Sequence, residues 1–126
     1  MIKSTFDPER HLVLMKIGGD ISVADLLAEY DTIFAHKDFE PNMHAVWDLS
    51  DLDLTRIPVS DIRNLQRELR QYVSRRGDGY KAALVTKRPT DYGLLRIYLS
   101  ILKLIGGNIS FRLYRTLDEA YEWISR

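Results

Sequence analysis

The chain has no cysteine, which excludes disulfides, thiolate metal sites and thiol nucleophiles. It also has no net charge: eighteen Lys and Arg balance eighteen Asp and Glu, so no overall field draws it to nucleic acid. Repeats and low-complexity stretches are absent. So are the GxGxxG, GxxxxGK[ST] and GxSxG patterns, which removes the commonest signatures of dinucleotide binding, phosphate cradling and serine hydrolysis. The most apolar stretch, residues 92–105, is too short and too interrupted by Arg96 and Lys103 to span a membrane. The opening MIKSTFDPERHLVL (1–14) lacks a basic segment followed by a long apolar one, so no signal peptide is expected, and a cytoplasmic location is.

What remains is ordinary globular composition, 45% apolar and 29% charged over 126 residues. That length holds one domain, 1–126, with a proper core. Charge is unevenly spread. Residues 1–55 carry four Lys/Arg against eleven Asp/Glu, whereas 56–88 carry nine against three. The two blocks suit neighbouring surfaces of opposite sign.

Periodicity then sets the order of elements. Two β-like runs, IKSTF (2–6) and HLVLMKI (11–17), flank Asp7-Pro8-Glu9-Arg10, where proline presets a turn; a hairpin follows. Ser22 with Asp25 three residues later forms a capping box for a helix whose apolar stripe is Val23, Leu26, Leu27, Tyr30, Ile33 and Phe34. Met43–Leu49 is a short buried strand. Pro58 and Ser60 open a second helix with an apolar stripe at Ile62, Leu65, Leu69, Tyr72 and Val73. Arg63, Arg67, Arg70, Arg75 and Arg76 are assigned to its other side, and Gly77-Asp78-Gly79 ends it. Tyr80–Thr86 is a fourth strand, 91–105 a third helix, Ile109–Tyr114 a last strand. Thr116 and Glu119 cap a final helix. The order ββαβαβαβα predicts an α/β fold with a mainly parallel five-stranded sheet and four helices.

This order, with the GGDIS turn, the strand ending VWDLSDLDL, the strand KAALVT and the closing FRLYRTLDEAYEWI, resembles the SpoIIAA-like (STAS) domain of anti-sigma-factor antagonists over nearly the whole chain. The resemblance implies a non-enzymatic regulatory or protein-interaction module. In antagonist members of that family a serine at the start of the second helix, in a D-S-S-G-type motif, is phosphorylated to switch partner binding. Here Arg56-Ile57-Pro58-Val59 stands there, and the nearest hydroxyls are Thr55 and Ser60, so the sequence departs from the switch. Other members of the fold bind lipids or other apolar ligands.

Three constellations could carry chemistry. DLDLT (51–55) reads as the DxDxT nucleophile motif of Mg²⁺-dependent phosphohydrolases, but no downstream acidic pair follows on a strand end, and a strand-end loop is the plainer reading. His11, His36 and His44 are too scattered for a metal site, so no metal and no cofactor are expected. The arginine-rich side of the second helix could meet anions, yet it lacks interleaved aromatics, and no nucleic acid is expected.

Two sites are therefore expected. Parallel strands present ligands at their carboxyl ends, which places Asp48, Ser50, Thr86, Lys87, Arg88 and Thr90 as ligand-binding residues beside a helix N-terminus. The third helix is apolar on two sides, Leu94/Ile97/Ile101/Leu104 and Leu95/Tyr98/Leu102/Ile105. A helix lying on a sheet needs one such stripe. We assign Leu95, Tyr98, Leu102 and Ile105 to a partner interface, in a homodimer or with another protein. The alternative is a carrier or sensor of a small apolar or amphipathic ligand held beside this helix.

Overall fold

A computed structural model describes the whole chain, Met1–Arg126. Five strands form one sheet: β1 (Ile2–Asp7), β2 (Leu12–Gly18), β3 (His44–Asp51), β4 (Lys81–Val85) and β5 (Ser110–Tyr114). Four helices connect or follow them. They are α1 (Val23–Ala35), α2 (Val59–Leu69), α3 (Pro89–Leu102) and α4 (Leu117–Ile124). A 3₁₀ turn at Arg70–Tyr72 and a last helical turn at Val73–Arg76 prolong α2, and a 3₁₀ turn at Lys103–Ile105 prolongs α3. No helix is long and apolar enough to cross a membrane.

The strands lie in the order β1-β2-β3-β4-β5, the first pair antiparallel and the rest parallel. Strand order never reverses. Successive right-handed crossovers in one direction put every connecting helix on one face, and α1, α2 and α3 indeed share it. That front face presents Val13, Met15 and Ile17 of β2, Ala45 and Leu49 of β3, and Ala82 and Leu84 of β4 to the three helices. Only α4, which follows the last strand, reaches the back face. There Ala120, Trp123 and Ile124 cover Leu12, Val46, Ala83 and Val85.

Local chemistry explains the boundaries. Ser22 Oγ accepts from the Asp25 N–H at 3.1 Å and Asp25 Oδ2 from the Ser22 N–H at 3.0 Å, which completes the capping box. Those bonds hold the Asp25 carboxyl below its usual range. Pro89 occupies the first turn of α3, where its missing N–H costs nothing, so the helix starts earlier than the expected residue 91. Strand β3 runs to Asp51 rather than stopping at Leu49, because Asp51 continues the pairing with Gly18. Gly18 is required there: a β-carbon would come within 2.9 Å of Asp51 Cβ.

Candidate functional site

The strand-end residues do not form one site. Asp48, Ser50 and Lys87 share a shallow depression on the back face, bordered by Thr116 and Asp118 at the start of α4. Asp48 is buried and its Oδ1 accepts from the Ser50 N–H at 3.1 Å. Two carboxylates face one lysine, so the depression is no anion site. Thr86 is buried and its backbone N–H donates to the Tyr114 carbonyl, while Thr90 is exposed.

Arg88 points elsewhere. Its Nε donates to Asp91 Oδ2 at 2.6 Å, a terminal nitrogen reaches the Leu52 carbonyl at 3.2 Å, and Asp53 lies 3.6 Å away. The other Asp91 oxygen accepts from the Leu54 N–H at 3.2 Å. Asp91, 1% exposed, thus occupies the α3 N-terminus and ties it to the 52–54 loop. The expected anion site at Lys87-Arg88 is corrected accordingly: the chain's own carboxylate fills it. The physical reason lies in the topology. Ligand crevices at strand ends arise where strand order reverses, and this sheet has no reversal.

The DLDLT acids have structural duties. Asp53 Oδ1 accepts from the Thr55 N–H at 3.1 Å and from its hydroxyl at 2.5 Å, capping the short turn Leu54–Arg56. These bonds, with Arg88 and Arg56 nearby, lower the Asp53 carboxyl. Asp51 pairs with Lys16 at 3.5 Å, and Asp20 with Arg56 at 3.8 Å. No three His, Asp or Glu side chains converge as metal ligands would. Ser60 is exposed in the first turn of α2.

The partner-interface assignment is reversed. Leu95, Tyr98, Leu102 and Ile105 are all buried against the sheet, and the Tyr98 hydroxyl donates to the Ile57 carbonyl at 2.7 Å. The exposed apolar residues are Ile97 and Leu104, 60% and 66% accessible. Leu94 and Ile101 beside them are half-buried. Two equally apolar stripes gave periodicity no means of choosing the inward one.

The front layer is hollow in two places. One cavity, about 60 Å³, lies beside α3 and is walled by fifteen hydrophobic residues of seventeen, among them Ile17, Leu26, Leu65, Leu95 and Tyr98. The second, about 30 Å³, lies nearer the end of α2, over Ala45 and Ala82, which are register partners in β3 and β4. Thirteen of its fourteen lining residues are hydrophobic; the other is Arg76. Trp47, Leu84 and Leu102 border both cavities.

Arg76 was expected on the exposed basic face, yet it is 5% exposed. Its spacing from Tyr72 and Val73 continues the apolar stripe, a signal that could have found it. The guanidinium lies 4.0 Å from the centre of the Tyr80 ring, and neither terminal nitrogen has a hydrogen-bond partner. Stacking on a ring is worth up to about 2 kcal/mol. Removing an unpaired charge from water costs several kcal/mol, so the contact with Tyr80 does not offset burial. Burial also raises the Tyr30 and Tyr80 hydroxyls above their usual range, while the Arg76 charge pulls both the other way. Both hydroxyls therefore stay protonated near neutral pH.

No protein-family model, curated protein or solved structure matches this chain.

Proposed function

We propose that this chain is a non-enzymatic binding module of the SpoIIAA-like type, which takes up a small, largely apolar ligand between its sheet and the three front helices. The single observation behind this reading is the apolar cavity beside α3, about 60 Å³ in volume and walled almost wholly by hydrophobic side chains. Well-packed interiors leave few voids of any size, and pockets that bind small molecules are concave and mostly apolar. The sequential sheet with an antiparallel first pair supports the SpoIIAA-like assignment. The engagement of Asp51 and Asp53 in an ion pair and a cap supports a role without catalysis. Native mass spectrometry of gently purified protein tests the reading. The expected result is a carried organic mass released by solvent extraction. Bare protein mass, together with no uptake of a fluorescent apolar probe, would overturn it.

A second reading, a regulatory protein-interaction module or homodimer, draws on the exposed Ile97 and Leu104 of the α3 segment. Sedimentation of Ile97→Glu and Leu104→Glu variants tests it: a shift from dimer to monomer supports this face as the contact. A wild-type chain that sediments as a monomer and retains no protein partner removes it.

A further inference from the structure

We infer that the cavity around Arg76 binds a small organic carboxylate, its anionic head on the guanidinium and its apolar body among the surrounding rings. The inference rests on the ligand reading above for the existence of a guest, and adds the guest's charge and a second place for it, the cavity at Arg76 rather than the one beside α3.

Arginine keeps its charge at any accessible pH, so burial cannot be relieved by losing a proton. None of the chain's ion pairs includes Arg76, and both terminal nitrogens, with their four N–H donors, are unpartnered. Its backbone is held in place as well. The Arg76 carbonyl accepts from the Asn42 N–H at 3.0 Å, and Asn42 Oδ1 accepts from the Asp78 N–H at 2.6 Å. Gly77 between them, at φ +108°, leaves no room for a β-carbon against Asn42. A cation clamped inside an apolar chamber with its donors free has the chemistry of an anion receptor.

The geometry restricts the anion. A guanidinium presents parallel N–H groups that match the two oxygens of a carboxylate. Arg76 is the only charged residue among those lining the cavity, which suits a single negative charge better than a dianion. Elsewhere the lining is aromatic and aliphatic, with Tyr30, Tyr72 and Phe111 beside the alanine floor. The cavity is about 30 Å³, room for one or two waters, so an organic carboxylate must displace the half-buried Tyr72 and Phe111 to reach Arg76.

Titration of the whole chain with benzoate and, separately, benzyl alcohol, followed by heteronuclear NMR, tests the inference. Benzoate is expected to shift the Arg76 Cζ resonance and the amide signals of Tyr80 and Ala82. Arg76→Met is expected to weaken benzoate about tenfold or more and to leave benzyl alcohol nearly unchanged, with a melting temperature no lower than wild type. Unaltered benzoate affinity in Arg76→Met, or no Arg76 response in wild type, would refute the site. Should that variant fail to fold, Arg76→Lys, which keeps charge but loses the fork, must still weaken benzoate; unchanged affinity there refutes the site equally. Chloride competing as well as benzoate would mean an inorganic-anion pocket and overturn the organic assignment. Neutral-probe binding without benzoate binding leaves the general ligand reading standing and sinks this one; binding of neither probe sinks both.

Discussion

The two faces of the sheet are packed by opposite strategies. Three helices cover the front and leave two cavities and a buried cation. One eight-residue helix covers the back, and Val46, Ala83 and Val85 beneath it, with its own Ala120, are fully inaccessible. A single helix can seal a sheet tightly when small residues let it approach, as Ala83 and Ala120 do here. Density on one side and space on the other suggest a division of labour, with the back holding the fold and the front holding a guest.

The largest test of that contrast is Trp123→Ala. Trp123 supplies much of the back cover, its carbonyl accepts from Lys81 Nζ at 2.9 Å, and Lys81 and Arg112 flank its ring. Its truncation should cost about 3–5 kcal/mol in urea denaturation. A loss below about 1 kcal/mol would mean the back layer is as loose as the front.

A sharper test uses adjacent residues of one strand. Ala82 faces the front cavity and Ala83 the back core. Ala83→Val should destabilise by about 1–3 kcal/mol through overpacking. Ala82→Val should change stability by less than about 1 kcal/mol, since the added methyls enter empty space and valine suits a strand. Equal costs in the same denaturation experiment would erase the distinction between the layers.

The smallest effect concerns pH. His44 Nδ1 accepts from the Lys81 N–H at 3.0 Å, so the folded state needs the neutral ring. Burial, then the charges of Lys81, His11 and Arg76, lowers its pKa below the usual 6.5. The unfolded chain therefore takes up the proton first as pH falls. The stability linked to His44 is complete above about pH 6.5, declines as pH falls toward the folded-state pKa, and is flat below it. Melting temperatures across that window should show the slope, and His44→Asn should remove this part of it.

Much of this architecture was legible in the chain. The element order followed from the alternating runs, and the first capping box from Ser22 and Asp25, because both depend on neighbours in sequence. Three features did not follow. The inward stripe of α3 depends on which side meets the sheet, and Leu95 and Ile97 are equally apolar. Arg76 was grouped with its arginine neighbours by residue type, although its helical position belongs with Tyr72 and Val73. Lys87 and Arg88 looked like an open anion site because the loop at Leu52–Leu54, which engages Arg88 and Asp91, is distant in sequence. The α3 and Arg88 misses are long-range contacts that overrode a local rule, whereas the Arg76 miss is a local spacing set aside for residue type.

The sequential strand order has a consequence for the growing chain. As synthesis proceeds, each new strand finds its neighbour already made, so pairing can advance in one direction without inserting a late strand between early ones. The front helices are made between the strands and can dock as the sheet widens. The back face has no such escort: Leu12, Val46, Ala83 and Val85 stay bare until α4, the last of these elements, is made. A ribosome that stalls before Leu117 leaves a nearly complete sheet with one naked apolar surface, the species that chaperones would have to shelter.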